Sequence, residues 1–371
     1  MNALYRKYRP RTLGDIVGQT HISEIIRNAA REDRLAHAYL FYGPRGTGKT
    51  TIARIVAKIA NCETRRTDKK FHAKGEPCNT CKPCTEIDAG RGMDVVEIDA
   101  ASNRGIDEIR SLRETIKLSP SSYPFKVFII DETHQLTKEA FNALLKTLEE
   151  PPAHAMFILA TTEYEKVPAT IASRTQRFHL RKLTLAEIVA KLTMVVTAEK
   201  LQVQDEALEL IAAGAEGSLR DAEALLDQLT SLEDEVTVET VEQIIGKVGF
   251  EKVAEFAGMI LNGKLDDALT YVTEINEGGY NPIDLTKELI NYLRRAITLK
   301  FDPKIKELLK KELTDRELEQ LSRHADLIRN PEHIRLIQAL IKSYSDMRYS
   351  PFQTIPLEIA LIEHLTKPSS S

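Results

Sequence analysis

The sequence predicts a doubly wound parallel α/β domain followed by an all-α remainder, and three observations support this. An apolar strand at Tyr39–Tyr42 leads into a glycine-rich loop and a helix. A second apolar strand, Lys126–Ile130, ends in two adjacent carboxylates. Beyond about residue 180, apolar residues recur at helical spacing through to the end of the chain. Strands that alternate with helices before this point are typical of a parallel sheet with helices on both faces.

Composition indicates a globular chain of two or three domains. The 371 residues are 42% hydrophobic and 29% charged, which argues against wholesale disorder and against a collagenous or coiled-coil chain. No apolar run approaches the roughly 20 residues of a membrane span, and the N-terminus has no signal-peptide core, so we expect a cytoplasmic protein without membrane contact. With 51 basic and 55 acidic residues, the net charge is −4, and any binding of nucleic acid must use a local basic patch.

The loop after the first strand has the spacing of a phosphate-binding loop. It matches the pattern G-x-x-x-x-G-K-[ST] between a strand and a helix. Glycines let backbone N–H groups hold phosphate oxygens at a helix N-terminus. Lys49 would neutralise the β- and γ-phosphates of a nucleotide, and the Thr50 hydroxyl would ligate Mg²⁺. The predicted nucleotide-binding residues here are Gly43, Pro44, Arg45, Gly46, Thr47, Gly48, Lys49, Thr50 and Thr51.

The carboxylates that follow the second strand complete the predicted site. They would lie at the carboxyl edge of the sheet, where open α/β sheets bind ligands. Asp131 suits Mg²⁺ positioning, and Glu132 could act as general base toward the attacking water. Two further strands, Asp94–Ile98 and Met156–Ala160, fit the same sheet, and apolar spacing predicts a helix between Leu136 and Pro151.

All four cysteines lie within one 23-residue stretch, at Cys62, Cys78, Cys81 and Cys84. Two C-x-x-C spacings that share Cys81, with Cys62 as a fourth thiolate, suit a closed tetrahedral zinc site. A closed site has no open coordination position, so the predicted role is structural. An iron–sulfur cluster and a pair of disulfides are the alternatives, and a chain without a secretion signal disfavours the disulfides.

Several segments together closely resemble the gamma/tau subunit family of bacterial DNA polymerase III. This family comprises AAA+ ATPases that act in the sliding-clamp loader, and the resemblance is dense over about residues 1–245. It implies ATP with Mg²⁺ as the nucleotide. The segments that carry it, besides the cysteine stretch, are Tyr5–Pro10, His37–Gly43, Phe141–Pro152, Ala160–Glu163, Ser173–Arg174 and Gly217–Ala222.

The resemblance also implies roles for single residues outside the phosphate loop. Thr162 matches the sensor 1 position, which orients the lytic water. Arg174 matches the arginine finger that reaches a nucleotide on the neighbouring subunit, although Thr175 follows it where the family usually has cysteine. Arg220 matches the sensor 2 arginine of the lid; without the family, a helix salt bridge would explain it equally well. The expected wall of the adenine pocket is Tyr8, Arg9, Pro10, Val17 and Gly18.

The domain organisation follows from the helical pattern and the resemblance. We expect an AAA+ nucleotide-binding domain at 1–179 with the cysteine module at 62–84, then a helical lid at 180–245. A helical collar that holds subunits in a ring would occupy 246–367, and 368–371 would begin a linker.

The function that these features predict is that of an ATP-hydrolysing motor subunit that loads the sliding clamp on primed DNA. The implied partners are other clamp-loader subunits in a ring-shaped hetero-oligomer, the clamp and primer–template DNA, with a homo-oligomer for the isolated chain. The implied location is the bacterial cytoplasm, with the nucleoid-associated replication machinery. A helix beginning near Asn103, with Arg104 toward the phosphate backbone, is the candidate DNA contact, and a solvated cap residue is the alternative.

Two other functions remain open at this stage. One is a weakly hydrolysing scaffold subunit of the same complex, and the other is an AAA+ helicase or initiator. No separate set of carboxylates for a two-metal polymerase site is recognisable in the sequence, so any polymerase activity would belong to the holoenzyme.

Overall fold

The computed structural model describes residues 3–102, 114–245, 249–309, 313–329 and 331–366. The chain divides into two compact units, Met1–Glu235 and Val236–Ser371, and each unit is described by itself. The helix expected near Asn103, the DNA-contact candidate Arg104 and the linker at 368–371 lie outside the described residues.

A five-stranded parallel sheet forms the centre of the first unit. Its strand order is β2-β3-β4-β1-β5, so the chain reverses direction of winding beside β1. The predicted doubly wound sheet is therefore confirmed. The strands are β1 Ala38–Tyr42, β2 Val95–Asp99, β3 Lys126–Asp131, β4 Ala155–Thr161 and β5 Gln176–His179.

The three central strands β1, β3 and β4 are buried on both faces, and their alternate residues belong to different cores. On β1, Tyr39 and Phe41 pack with the apolar faces of the two helices that precede and follow the strand. Ala38 and Leu40 point to the opposite core. Burial on both faces explains why the central strands read as continuous apolar runs in the sequence.

Eleven helices lie in the described part of the first unit. Those before β4 are α1 Leu4–Lys7, α2 Thr20–Arg31, α3 Lys49–Asn61, α4 Glu63–Thr67, α5 Lys69–His72, α6 Lys82–Asp88 and α7 Lys138–Glu149. Those after β4 are α8 Ala169–Ala172, α9 Leu185–Glu199, α10 Asp205–Gly214 and α11 Leu219–Leu232. Single 3₁₀ turns lie at Leu13–Asp15, Thr133–Gln135 and Tyr164–Lys166.

The strand β5 is the element of the sheet that the sequence did not predict. It pairs with β1 and has only four residues, of which Phe178 is buried and its neighbours Arg177 and His179 are exposed. So short a run, with one apolar side chain in contact with the core, carries almost no strand signal.

A buried carboxylate fixes the chain where it crosses from β2 to β3. Asp94 immediately precedes β2 and is 1% exposed. It accepts backbone hydrogen bonds from Ser121, Ser122 and Tyr123 at 2.7, 2.7 and 2.9 Å. Burial raises the pKa of Asp94, but the three N–H donors outweigh it and hold the pKa below its ordinary value.

The second unit is helical and has its own hydrophobic core. Phe256, Leu289, Leu321 and Leu340 are fully buried members of it, contributed by four different helices. Its helices are α12 Val238–Ile245, α13 Phe250–Leu261, α14 Leu265–Glu277, α15 Pro282–Phe301, α16 Lys306–Leu309, α17 Asp315–Leu327, α18 Glu332–Met347 and α19 Ile355–Leu365. The described residues also contain the short strands β6 Gln202–Val203 and β7 Glu235–Val236, and the second unit has a 3₁₀ turn at Pro303–Ile305. Among the described helices, none is long and apolar enough to cross a membrane.

Candidate nucleotide site and cysteine cluster

An open cleft lies at the carboxyl edge of the sheet in the first unit. The phosphate loop, the end of β3 and the start of α11 all contribute to its lining. Of the predicted site residues, the cleft brings together Arg9, Pro10, Val17, Arg45, Gly46, Thr47, Gly48, Lys49, Thr50, Thr51, Asp131, Glu132 and Arg220.

Glycines give the phosphate loop its shape. Gly46 and Gly48 have φ values of +73° and +103°, in the left-handed region that favours glycine. A Cβ on Gly46 would lie 1.8 Å from the hydroxyl oxygen of Ser218, the N-cap residue of α11. The loop therefore requires glycine at position 46 for space as well as for backbone conformation, and this contact brings α11 against the loop.

Lys49 is the first residue of α3 and is 6% exposed. Its ammonium group donates hydrogen bonds to the carbonyl oxygens of Gly43 and Pro44, at 2.9 and 2.8 Å. Burial lowers the pKa of Lys49, while Glu132 and Asp131 partly oppose that effect. A buried cation at a helix N-terminus, where the dipole also favours negative charge, is suited to polyphosphate.

The carboxylates after β3 lie beside the phosphate loop, as the strand order predicts. The Thr50 hydroxyl donates to Asp131 Oδ2 at 2.7 Å, so these two predicted Mg²⁺ ligands are in direct contact. Glu132 has a φ of +46°, a strained value for a residue with a side chain. The Thr162 hydroxyl donates to Glu132 Oε2 at 3.1 Å, which fixes the candidate base from the neighbouring strand.

His134 is a residue of this site that the sequence analysis missed. Its side chain is 5% exposed, with Nδ1 3.4 Å from Glu132 Oε2 and 3.0 Å from the Thr161 hydroxyl. Its other nitrogen lies 3.1 Å from Glu163 Oε1. Thr162 and His134 thus both lie beside the Oε2 atom of Glu132. The signal available in the sequence was the position of His134, two residues after Glu132.

The lining of the cleft also includes apolar residues. Ile16, Leu183 and Leu219 join Pro10 and Val17 in its lining. The Arg220 guanidinium lies 5.3 Å from the centre of the Tyr5 ring, a cation–π arrangement rather than the helix salt bridge considered from sequence. Tyr5, Ile16, Leu183, Leu219 and Glu223 are cleft residues that sequence reasoning missed.

Four predicted nucleotide-binding residues do not line the cleft. The Tyr8 hydroxyl is hydrogen-bonded to Glu199 instead. Gly18, with a φ of +74°, packs against Leu183, where a Cβ would come within 2.3 Å of that side chain. Gly43 and Pro44 face Lys49 through their carbonyl oxygens.

Arg174 lies outside the cleft lining, on the loop between α8 and β5. One guanidinium nitrogen donates to Glu149 Oε1 at 2.6 Å, and the other donates to the Thr170 carbonyl at 2.7 Å. The side chain is one-third exposed. The predicted finger is therefore on the surface of the first unit and paired with the glutamate that ends α7.

The four cysteines form one compact group, with all sulfur atoms within 4.8 Å of one another. Cys62 and Cys84 are buried, and Cys78 and Cys81 are partly exposed. Backbone N–H groups of Arg65 and Cys78 point at the Cys62 sulfur, at 3.5 and 3.4 Å. The sequence prediction of a metal-binding group is confirmed to this extent: four thiols converge and backbone N–H groups surround them.

The proton distribution among the thiols favours thiolate at Cys62. A hydrogen bond from Cys84, together with the N–H groups of Arg65 and Cys78, lowers the pKa of Cys62. The same hydrogen bond to Cys62 raises the pKa of Cys84, and burial adds to this effect. Metal ligation needs thiolates, and a donor set of four sulfurs with no carboxylate or imidazole fits a closed tetrahedral site.

Comparison with known families covers almost the whole chain. Family models match residues 18–184 (DNA polymerase III, delta subunit), 187–232 (DNA polymerase III clamp loader subunit, ATPase lid domain) and 236–369 (DNA polymerase III subunits gamma and tau domain III). The match over residues 187–232 contains α11, the helix that carries Arg220.

Curated relatives agree with the family matches. The chain is 42% identical to the DNA polymerase III subunit tau of Bacillus subtilis over 97% of its own length and 62% of that protein. It is 36% identical to the tau subunit of Escherichia coli over 98% of its length, but it spans only 55% of that longer protein. It is 34% identical to the DNA polymerase III subunit gamma of Buchnera aphidicola, with 98% of both chains covered. The chain therefore belongs to the gamma/tau subunit family of DNA polymerase III.

Proposed function

We propose that this chain is an ATP-hydrolysing motor subunit of a DNA polymerase III clamp loader, which opens the sliding clamp and loads it on primed DNA. One observation carries the proposal. A single cleft holds a phosphate loop with a buried lysine, a Thr50–Asp131 pair, and Glu132 fixed by Thr162. This is the set of groups that phosphoryl transfer to water requires.

Each group has a role in ATP hydrolysis. Lys49 exchanges its two carbonyl partners for the β- and γ-phosphates, and the N–H groups of the loop hold the remaining oxygens. Thr50 and Asp131 would hold Mg²⁺, which would screen the phosphate charge in the transition state. Glu132 orients a water molecule for in-line attack and receives its proton. Thr162 and His134 keep the Glu132 carboxylate in place.

Two arginines complete the proposal. Arg220, on the lid, senses the γ-phosphate from within the same subunit. Arg174 acts on the nucleotide of the neighbouring subunit in the ring, where an arginine finger can be worth about 10³–10⁵ in rate. Because Arg174 is paired with Glu149 here, it must exchange that partner when it reaches the neighbouring site.

The cysteine cluster is proposed to hold a structural Zn²⁺ with Cys62, Cys78, Cys81 and Cys84 as its ligands. All four positions of a tetrahedron are then taken by thiolates, which leaves none for catalysis. The ion would tie the end of α3 to the turn before α6, and its loss would loosen the helix that begins at Lys49.

We also propose the domain layout and partners that the sequence implies. The nucleotide-binding domain would be 1–179, the lid 180–245 and the collar 246–367, with 368–371 as linker. The partners would be other clamp-loader subunits, the sliding clamp and primer–template DNA, in the bacterial cytoplasm.

Complementation between two inactive variants tests this function. Lys49→Ala removes the phosphate contact but keeps a normal Arg174, and Arg174→Ala does the reverse. Each variant, assembled with the other loader subunits, clamp and primed DNA, should release phosphate at least about 100-fold more slowly than wild type. A mixture of the two variants should recover activity, since an intact cleft can then face an intact Arg174.

Arg177→Ala is the matched control, because Arg177 is an exposed arginine only three residues away. It should keep wild-type activity. Full activity of Arg174→Ala, or a mixture no faster than its components, would exclude the action of Arg174 between subunits. Full activity of Lys49→Ala would exclude the proposed cleft.

A further inference from the structure

The lining of the cleft includes a buried acid with no role in phosphate chemistry. The cleft lining contains three acidic residues, which are Asp131 and Glu132, next to the phosphate loop, and Glu223 on α11. Glu223 is 5% exposed. Its Oε1 is fully buried and has no hydrogen-bond partner among the described residues. Buried polar atoms are nearly always paired, so an unpaired acceptor in a cleft lining indicates a partner that the chain itself does not supply.

The position of Glu223 along α11 separates it from the phosphate end. Ser218, the N-cap of this helix, touches the phosphate loop at Gly46. Glu223 is five residues further along, about 7.5 Å at the helical rise of 1.5 Å per residue. It lies one turn beyond Arg220, so both residues point to the same side of the helix, and both line the cleft.

The described neighbours of Glu223 leave Oε1 without a hydrogen-bond partner. Lys191, on α9, and Arg9, in the N-terminal segment, exert the electrostatic influence on the carboxyl group. The Lys191 ammonium donates to the Tyr8 carbonyl oxygen at 3.4 Å and lies over the Tyr8 ring. Arg220 is occupied by the ring of Tyr5. Among the described residues, the carboxyl group therefore has no ion pair with Lys191, Arg9 or Arg220, and Leu219 is an apolar residue of the same cleft lining.

We infer that Glu223 is the residue that selects the base of the nucleotide, with Oε1 accepting a hydrogen bond from the exocyclic amino group of adenine. Apolar lining residues such as Ile16 and Leu183 suit the faces of a purine, and Glu223 supplies a polar partner for its edge. At the same position guanine carries a carbonyl oxygen, an acceptor that would oppose the carboxyl oxygen. The inference rests on the proposed function, because it takes ATP as the occupant of the cleft.

The burial of the Glu223 carboxyl group also supports this assignment. It raises the pKa of Glu223 to about 7, while Lys191 and Arg9 pull it down. Burying a carboxyl group without a partner costs free energy, and a hydrogen bond from the ligand would recover part of that cost.

The test pairs a change in the protein with a change in the base. Purine riboside 5′-triphosphate lacks only the amino group of ATP. Equilibrium binding of both nucleotides with Mg²⁺ is measured by competition with a fluorescent ATP analogue, for full-length wild type and for Glu223→Leu. Wild type should prefer ATP by about 5- to 100-fold, the worth of a good hydrogen-bonded base contact. Glu223→Leu should reduce that preference to near one, mainly by weaker ATP binding.

Controls separate the possible failures. Glu209→Leu, an exposed glutamate on α10, should keep the wild-type preference. Glu223→Gln should keep ATP binding and bind GTP better than wild type does, because an amide can present either a donor or an acceptor. If Glu223→Leu still prefers ATP over purine riboside 5′-triphosphate as strongly as wild type does, the inference is overturned. The same assay is run with 2′-deoxy-ATP. If Glu223→Leu loses only the preference for ATP over 2′-deoxy-ATP, Glu223 contacts the ribose and the inference is also overturned.

Binding of ATP to Lys49→Ala distinguishes failure of the inference about Glu223 from failure of the proposed function. If wild type binds ATP and Lys49→Ala does not, the nucleotide site stands whatever Glu223 does. If neither protein binds ATP, the proposed function fails together with the inference.

Discussion

The buried acid Glu223 should make the nucleotide-free protein less stable as pH rises. Burial raises the pKa of this carboxyl group from the ordinary 4.5 to about 7 in the folded chain. Folding therefore favours the protonated form. The contribution of Glu223 to stability is fully present below pH 4.5 and is lost as pH rises through about 7. Between these two pH values, the free energy of unfolding falls by about 1.4 kcal/mol for each pH unit, which amounts to about 3 kcal/mol in total.

The measurement compares wild type with Glu223→Gln, whose side chain cannot ionise. Urea unfolding of both proteins, followed by circular dichroism between pH 4.5 and 8, gives the difference in the free energy of unfolding at each pH. Wild type should lose about 3 kcal/mol relative to the variant over this range. Glu209→Gln, changed at an exposed site, should give a constant difference. A difference between wild type and Glu223→Gln that stays flat across the range would refute the argument that burial shifts this group.

Three further predictions concern other buried or positioned groups. Asp94→Ala leaves three backbone N–H groups without their acceptor and should destabilise the protein by about 3 kcal/mol or more, measured by urea unfolding; an unchanged midpoint would contradict this. Cys81→Ser should bind less zinc, measured by atomic absorption on purified protein, and wild type treated with a chelator should unfold at lower temperature; equal zinc content in the two proteins would exclude the four-thiolate site. Thr162→Ala should lower kcat by about 10-fold or more with little change in ATP affinity, because Glu132 loses a positioning hydrogen bond; a loss of affinity with unchanged kcat would contradict this role.

The sequence predicted the parts of the fold that carry strong local patterns. The central strands β1, β3 and β4 are buried on both faces and therefore appear as uninterrupted apolar runs. The phosphate loop has fixed spacing because its backbone must curve around phosphate, which requires glycine at positions such as Gly46. Four cysteines in one short stretch converge because two short spacings limit where their sulfurs can lie.

The parts that were missed depend on contacts between distant segments. The strand β5 has a single buried side chain, so only its pairing with β1 reveals it. Glu223 lies on an amphipathic helix where a glutamate usually faces water, and its burial becomes evident only when α11 packs beside the phosphate loop. Arg174 and Glu149 are 25 residues apart in sequence, and they pair because the ends of α7 and α8 lie close together.

Replacement of the candidate base tests the central claim most directly, because it separates nucleotide binding from hydrolysis in the same cleft. Glu132→Gln is assembled into the loader with clamp and primed DNA, and ATP affinity and phosphate release are both measured. The variant should bind ATP about as tightly as wild type and release phosphate at least about 100-fold more slowly, since the water loses its proton acceptor. Phosphate release at the wild-type rate would contradict the assignment of this cleft as the site of ATP hydrolysis.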